Sequence, residues 1–281
     1  MNAPKFILPH HTPIDKGLLP ITKQQLDYCV FSISKTGDIH QNVTLIRQTT
    51  KHLRAYLILI NPKAKKRLQI KTVKFYKSTA QSIAQIRDLK TQYQQFKNSC
   101  EVLCLFNTPF FSLVSEIFNN KIKKEIDRLN SQKTIEVIFD SFEEEVRNFE
   151  KEAILIDPDY AYRKIFKIKK EAKSIYRKLE LTSKSKEYHQ LRKYVKYLSV
   201  QLTLFKSDPA EAPANINVAD LTKLAHLLGL EHDLEELTAT LDSHISIRLL
   251  ISYTTLLRPY LQEETMKVRK KILKLGKTVL N

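Results

Sequence analysis

The residues best suited to chemistry in this sequence are cations set at helical spacing. Arg47, Lys51 and Arg54 stand at i, i+4 and i+7, and Arg192, Lys193 and Lys196 form a second set with His189 three residues ahead of Arg192. At about 100° per residue, Arg47, Lys51 and Arg54 project to about 0°, 40° and −20°, and Arg192, Lys196 and His189 to about 0°, 40° and 60°. Each set is therefore one stripe on one helix. Like charges one turn apart repel by about 0.2–0.5 kcal/mol per pair in an isolated helix, and an anion held against them turns that repulsion into attraction. Both stripes run beside the apolar face rather than opposite it: Ile46, Leu53 and Leu57 flank the first, and Leu191, Val195, Leu198 and Leu202 the second. A stripe in that position lines a groove, with alkyl stems on apolar neighbours and charged heads in the cleft. No Asp or Glu occurs between His40 and Lys74 to neutralise the first stripe locally.

Composition narrows the partner. The chain has 281 residues and a net charge of +17, a surplus that nucleic acid, an anionic membrane surface or a polymeric phosphate would balance. Only four glycines occur, well separated, which removes the glycine-rich phosphate loops and leaves side chains to hold any phosphate. The Tyr and Phe residues, with no Trp, read as core rather than as stacking platforms between the cations. RNA or DNA is thus the second choice of partner. A phosphohydrolase needs clustered carboxylates for metal ions, whereas Asp88 and Asp233 stand isolated in their segments; no enzyme is expected. Cys100 and Cys104 share a helix face but have no His or Cys partner nearby, so neither a metal site nor a cofactor is expected.

The remaining bounds concern location. Three cysteines are too few and too odd in number for a disulfide framework. Met1 to His11 does not read as a signal peptide, and the longest apolar run, Ala55 to Ile60, is far below the roughly 20 residues of a membrane span. The expectation is a cytoplasmic protein with no membrane partner.

The elements that must position these stripes are helices. Low Gly, abundant Leu, Ile, Lys, Glu and Gln, and 3.6-residue apolar periodicity predict an all-α fold. Helices are expected near 23–35, 39–60, 76–104 with a break around Arg87, 110–130, 133–152, 159–181, 186–206, 217–229, 233–257 and 259–275. The sequence also repeats. Val43–Leu57 aligns without gaps on Tyr188–Leu202, and Ile83–Leu89 on Leu228–Leu234, both at an offset of 145 residues. Arg47 thereby falls on Arg192, Lys51 on Lys196 and Asp88 on Asp233. Two blocks at one offset point to a duplication: an arm over 1–14, a first half from 15 to about 135, a Glu-rich connector over about 136–155, and a second half from about 156 to 281. Two such halves are expected to pack as bundles about a pseudo-two-fold axis, with the cationic helices facing a shared basic central groove.

Three features keep more than one reading. Asp88 and Asp233 fit helix N-caps, Asp233 with Glu236 at capping-box spacing, and equally fit carboxylates that hold a basic side chain of the stripe in place. Arg163, Lys167, Lys170 and Arg177 lie opposite Ile168, Ala172, Ile175 and Leu179, the pattern of a solvated face. Lys63 to Arg67 is either a phosphate contact or a solvated loop.

The pattern His189-x-x-Arg192-Lys193-x-x-Lys196-Tyr197-Leu198, followed by Leu228-Gly229-x-x-His232-Asp233, resembles the CHAD (conserved histidine α-helical) domain. So does Arg47-x-x-x-Lys51-His52-Leu53-Arg54-Ala55, followed by Arg87-Asp88. The resemblance runs from roughly residue 20 to the C-terminus and implies a stand-alone member, since no Glu-x-Glu-x-Lys segment of a CYTH domain is seen. It implies an all-helical fold of two pseudo-symmetric bundles that binds inorganic polyphosphate without catalysis. Carried over by position, the ligand-facing residues are Arg47, Lys51, His52 and Arg54 in the first half and His189, Arg192, Lys193 and Lys196 in the second. The sequence departs from the pattern at Thr44, where histidine is implied and His40 lies one turn earlier. It departs again at Ser199 for a basic residue, His232 for arginine and Ala84 for glycine.

Overall fold

The computed structural model describes residues 6–150, 156–208, 216–248 and 250–280, and among them every regular element is helical. In chain order these are α1 (Ile14–Lys35), α2 (Ile39–Leu57), α3 (Pro62–Arg67), α4 (Val73–Ser82), α5 (Ala84–Val102), α6 (Pro109–Ser131) and α7 (Thr134–Glu150). They continue with α8 (Pro158–Thr182), α9 (Ser185–Thr203), α10 (Val218–Asp242), the short α11 (Ile245–Arg248), a π-helical segment (Ser252–Leu257) and α12 (Arg258–Leu280). Local chemistry sets many of the starts. Asn61, Thr108 and Asp157 each accept a backbone N–H as N-caps, and Pro62, Pro109 and Pro158 follow them at the first helical position, where a missing N–H costs nothing.

The helix starts recur along the chain: α1 and α8 begin 144 residues apart, α2 and α9 146, α4 and α10 145, and α6 and α12 149. The packing order recurs with them. Helix α1 packs on α2, α2 on α4 and α5 on α6, while α8 packs on α9, α9 on α10 and α10 on α12. Aligned Leu53 and Leu198, and Leu57 and Leu202, are fully buried in the core. The two sets meet where α2 touches α9 and α5 touches α10. Buried Gln201 of α9 donates from Nε2 to the Ala55 carbonyl of α2 at 2.9 Å, and Arg54 Nη2 donates to the Tyr197 hydroxyl at 2.8 Å.

Several elements differ from the sequence reading. Helix α1 starts nine residues earlier than expected, at Ile14, and runs through Pro20, because Ile14, Leu18 and Ile21 form a buried stripe. The break near Arg87 falls at Ile83, where Arg128 Nη2 from α6 donates to the freed Ser82 carbonyl at 2.8 Å. Helix α10 is continuous through 229–233. Its buried residues Leu221, Leu224, Leu228, Glu231, Leu234, Leu237 and Leu241 keep steps of three and four without a gap, so packing on one face overrides the stop signal of Gly229 and the capping box at Asp233. The helix expected over 133–152 is present across the Glu-rich connector. Residues 134–150 form α7, which packs on α1 with Phe142 fully buried, and residues 151–155 lie outside the described residues. Glu145 of α7 accepts from Tyr76 Oη at 2.8 Å and from the Lys71 backbone N–H at 2.6 Å.

The described part of the arm is anchored to the second set of helices. The Leu8 N–H donates to the Leu204 carbonyl at 2.8 Å, and Ser207 Oγ donates to the Leu8 carbonyl. No helix among the described residues is long and apolar enough to cross a membrane.

Candidate anion-binding cleft

A cleft of about 700 Å³ opens where α2, α5 and α9 converge. Arg47, Lys51 and Arg54 line it from α2, Arg87 and Lys90 from α5, and Arg192, Lys193 and Lys196 from α9 with His189. That is eight Lys and Arg residues, and no Asp or Glu is among the lining residues. Seven of the eight arise by the same local rule, Lys193 following Arg192 instead. Ile46, Thr50, Leu53, Ile86, Leu89, Leu191 and Val195 are buried, and the residue after each is a cleft cation, turned about 100° from the core. His189 likewise follows buried Tyr188.

The electrostatics are those of crowded like charge. Burial, then the neighbouring Arg192, Lys51 and Arg87, pulls the Lys196 ammonium down to about 7. Burial likewise lowers Arg47 and Arg192. Of the nine buried side-chain polar atoms without a hydrogen-bond partner among the described residues, Arg54 Nε, Arg192 Nε and His40 Nδ1 belong to residues lining the cleft. Such atoms ordinarily find partners, and their grouping here marks polar capacity not used by the fold.

The acidic pair stands behind this wall. Neither Asp88 nor Asp233 is an N-cap: α5 begins at Ala84 and α10 at Val218. Asp88 accepts from Arg87 Nη1 at 3.0 Å and lies 3.8 Å from Arg47 Nη2, while Asp233 lies 3.6 Å from Arg87 Nη1. Arg87 thus joins a carboxylate of α5 to one of α10. Burial raises the Asp233 carboxyl, against the pull of Arg87 and Arg192.

Of the eight residues implied as ligand-facing, seven line the cleft and His52 does not. His52 follows Lys51 by one residue, so it points about 100° away from it, toward α1. Its Nδ1 lies 2.8 Å from Gln25 Oε1, its ring stacks near Tyr56, and the Phe6 ring meets it at a tilt. Burial, then Lys51, holds its pKa at about 4. His52 is a structural residue of the α1–α2 contact.

The structure adds Arg87, Lys90, Tyr197 and His40 to the implied residues of the wall. Lys90 was findable, because Arg87 and Lys90 repeat the core-then-cation step after Ile86 and Leu89. His40 lines the same cleft as Thr44, where the resemblance implied a histidine. Arg163, Lys167, Lys170 and Arg177 are exposed along α8, and Lys63–Arg67 lies within α3, away from the cleft lining. Cys100 is buried in α5 and Cys104 exposed beyond its end at φ 54°, so the two do not form one face.

Comparison with known proteins agrees with this architecture. No curated protein matches the chain. The crystal structure of the CHAD domain from the plant Ricinus communis is similar in fold, with a TM-score of 0.55 at 12% identity, covering 99% of this chain and 91% of that one. PptA from Streptomyces chartreusis is similar with a TM-score of 0.62 at 10% identity, covering 92% and 94%. The family model of the CHAD domain matches residues 24–242. That span holds the cleft with every cation named above, and the chain belongs to the CHAD domain family.

Proposed function

We propose that the chain is a non-enzymatic binder of inorganic polyphosphate, held in the cleft between α2, α5 and α9. The observation that carries this reading is the cleft wall itself: eight Lys and Arg side chains with no carboxylate among them. A flexible polymer with about one charge per phosphate satisfies several such heads at once, and releases counterions on binding. The recurrence of helix starts and packing order supports an origin by duplication. On that origin the Arg47–Lys51 and Arg192–Lys196 walls are the two copies of one binding helix. Arg87, Asp88 and Asp233 act as positioning residues that keep the guanidinium groups turned toward the cleft. Tyr197, the aromatic side chain in the wall, is engaged by Arg54, which disfavours base stacking as the binding mode.

The test is titration with long-chain polyphosphate, wild type against the Arg192→Ala/Lys196→Ala double variant. Tight binding that falls at least tenfold in the variant supports the reading. Unchanged affinity, or displacement of polyphosphate by single-stranded nucleic acid at equal phosphate concentration, overturns it. Release of orthophosphate from the polymer in the presence of Mg²⁺ would overturn the non-enzymatic part.

A further inference from the structure

A cluster of a different chemical kind stands at the edge of the cleft. His189 of α9, and His232 and Glu236 one turn apart on α10, bring one ring nitrogen each and a carboxylate oxygen to within 4.8 Å of one another. The two imidazoles meet edge to face with centroids 4.5 Å apart. His232 Nδ1 is buried and has no hydrogen-bond partner among the described residues. His189 and Glu236 are exposed, so the cluster is open to solvent on one side.

We propose that His189, His232 and Glu236 form a binding site for a divalent transition metal of the zinc class. Two imidazole nitrogens and one carboxylate suit a borderline dication, whereas Mg²⁺ and Ca²⁺ select oxygen donors. The i, i+4 spacing of His232 and Glu236 sets both on one face of α10, and α9 supplies the third ligand across the helix pair. With bonds of about 2.0–2.2 Å, tetrahedral ligand atoms stand about 3.4 Å apart; rotation of the exposed His189 and Glu236 side chains closes the remaining gap. Three protein ligands leave a four-coordinate ion one position for water or an anion. His189 also lines the cleft, so that position lies beside it.

The ligand set belongs to this chain rather than to the pattern it resembles, since His232 occupies the place where arginine is implied. Arg192, Lys196 and Arg87 face the same cluster and oppose a dication there. An anion in the cleft offsets that opposition, so metal and anion favour each other's binding by one reciprocal factor. This coupling rests on the polyphosphate reading; the metal site does not. A second group, His10, His11 and Asp208, is also close enough to share an ion. Its histidines already lie within 3.8 Å and 3.4 Å of Asp208, and it serves as the internal control.

The experiment titrates the chelator-treated full chain with Zn²⁺ against a chromophoric chelator and with Co²⁺ by visible absorption, in the absence of polyphosphate. Expected are one ion per chain at this site and the intense ligand-field bands of four-coordinate Co²⁺. His232→Gln and Glu236→Gln should each weaken Zn²⁺ at least tenfold, and the His10→Gln/His11→Gln double variant should leave it unchanged. Glu236 is exposed, so its variant tests the site without disturbing the core. Zn²⁺ affinity insensitive to both single variants, or Co²⁺ without those bands, would overturn the proposal. Because no polyphosphate is present, failure here leaves the reading of the cleft untouched, and failure of polyphosphate binding leaves the metal result standing.

Discussion

Lys196 carries the sharpest consequence of the cleft. Its ammonium titrates near 7 in the folded chain against an ordinary value of 10.5. Between those values the unfolded chain holds a proton that the folded chain has released, so this residue makes stability rise with pH across that window. Below about pH 7 both states are protonated and the destabilisation is fully present. The thermal midpoint of the ligand-free protein should therefore climb from pH 7 toward 9. Lys196→Met should raise the midpoint at pH 7, flatten the climb and weaken polyanion binding. A midpoint that falls in the Met variant would contradict this account. On α2, one residue beyond Lys51, His52→Gln should leave polyphosphate affinity within about twofold of wild type, measured by titration with the polymer, because that ring serves the α1–α2 contact. The stripes themselves were legible in the sequence, since charge beside an apolar face has one geometric meaning. His52 was not, because membership in a motif says nothing about which side of the helix a residue occupies.

At the scale of elements, the all-α fold and most helices were readable from apolar periodicity, while several boundaries were not. Helix α10 shows why: local stop signals at Gly229 and Asp233 are weak beside an uninterrupted buried stripe from Leu221 to Leu241. The break at Ile83 is the converse, since Ile83 and the aligned Leu228 are both fully buried. It depends on Arg128 reaching across from α6, a tertiary contact that no local pattern announces. Packing between α8 and α12 gives a direct test. A Cβ on Gly276 would stand 2.8 Å from Tyr176 Cδ2 and closer still to Cε2, and the Tyr176 hydroxyl is fixed by the Leu273 carbonyl at 2.7 Å and by Glu180. The ring cannot retreat without losing these bonds. Gly276→Ala should cost about 1–3 kcal/mol, read as a lower urea midpoint with the helical circular-dichroism spectrum intact.

Across the whole molecule, charge is distributed unevenly. Of 47 Lys and Arg residues in a chain of net charge +17, eight line the cleft where α2, α5 and α9 meet with no carboxylate beside them in the lining, while α8 spreads its cations over solvent. If all eight cleft cations neutralise phosphates, the logarithm of the association constant should fall against the logarithm of salt with a slope on the order of −5 to −6, taking the single-strand coefficient. A slope near −2, measured between 50 and 300 mM salt (roughly the range over which such slopes are taken), would mean that only a corner of the cleft is used. Of the union of the two sets of helices, the recurrence of helix starts near one offset was legible in the sequence. Its fastenings, Gln201 to Ala55 and Arg54 to Tyr197, were not, because they pair positions that the repeat does not align.

Among the described residues, the cleft wall is made of side chains on helices rather than of a backbone loop. A loop of amide groups works as a unit and fails as a unit, but a wall of this kind is granular. Any single cation can be exchanged while the helices that carry it keep their packing, so affinity can drift in small steps. His232 stands beside that wall, near Arg192, Lys196 and Arg87, where the resemblance implied arginine, and α10 runs through it unbroken.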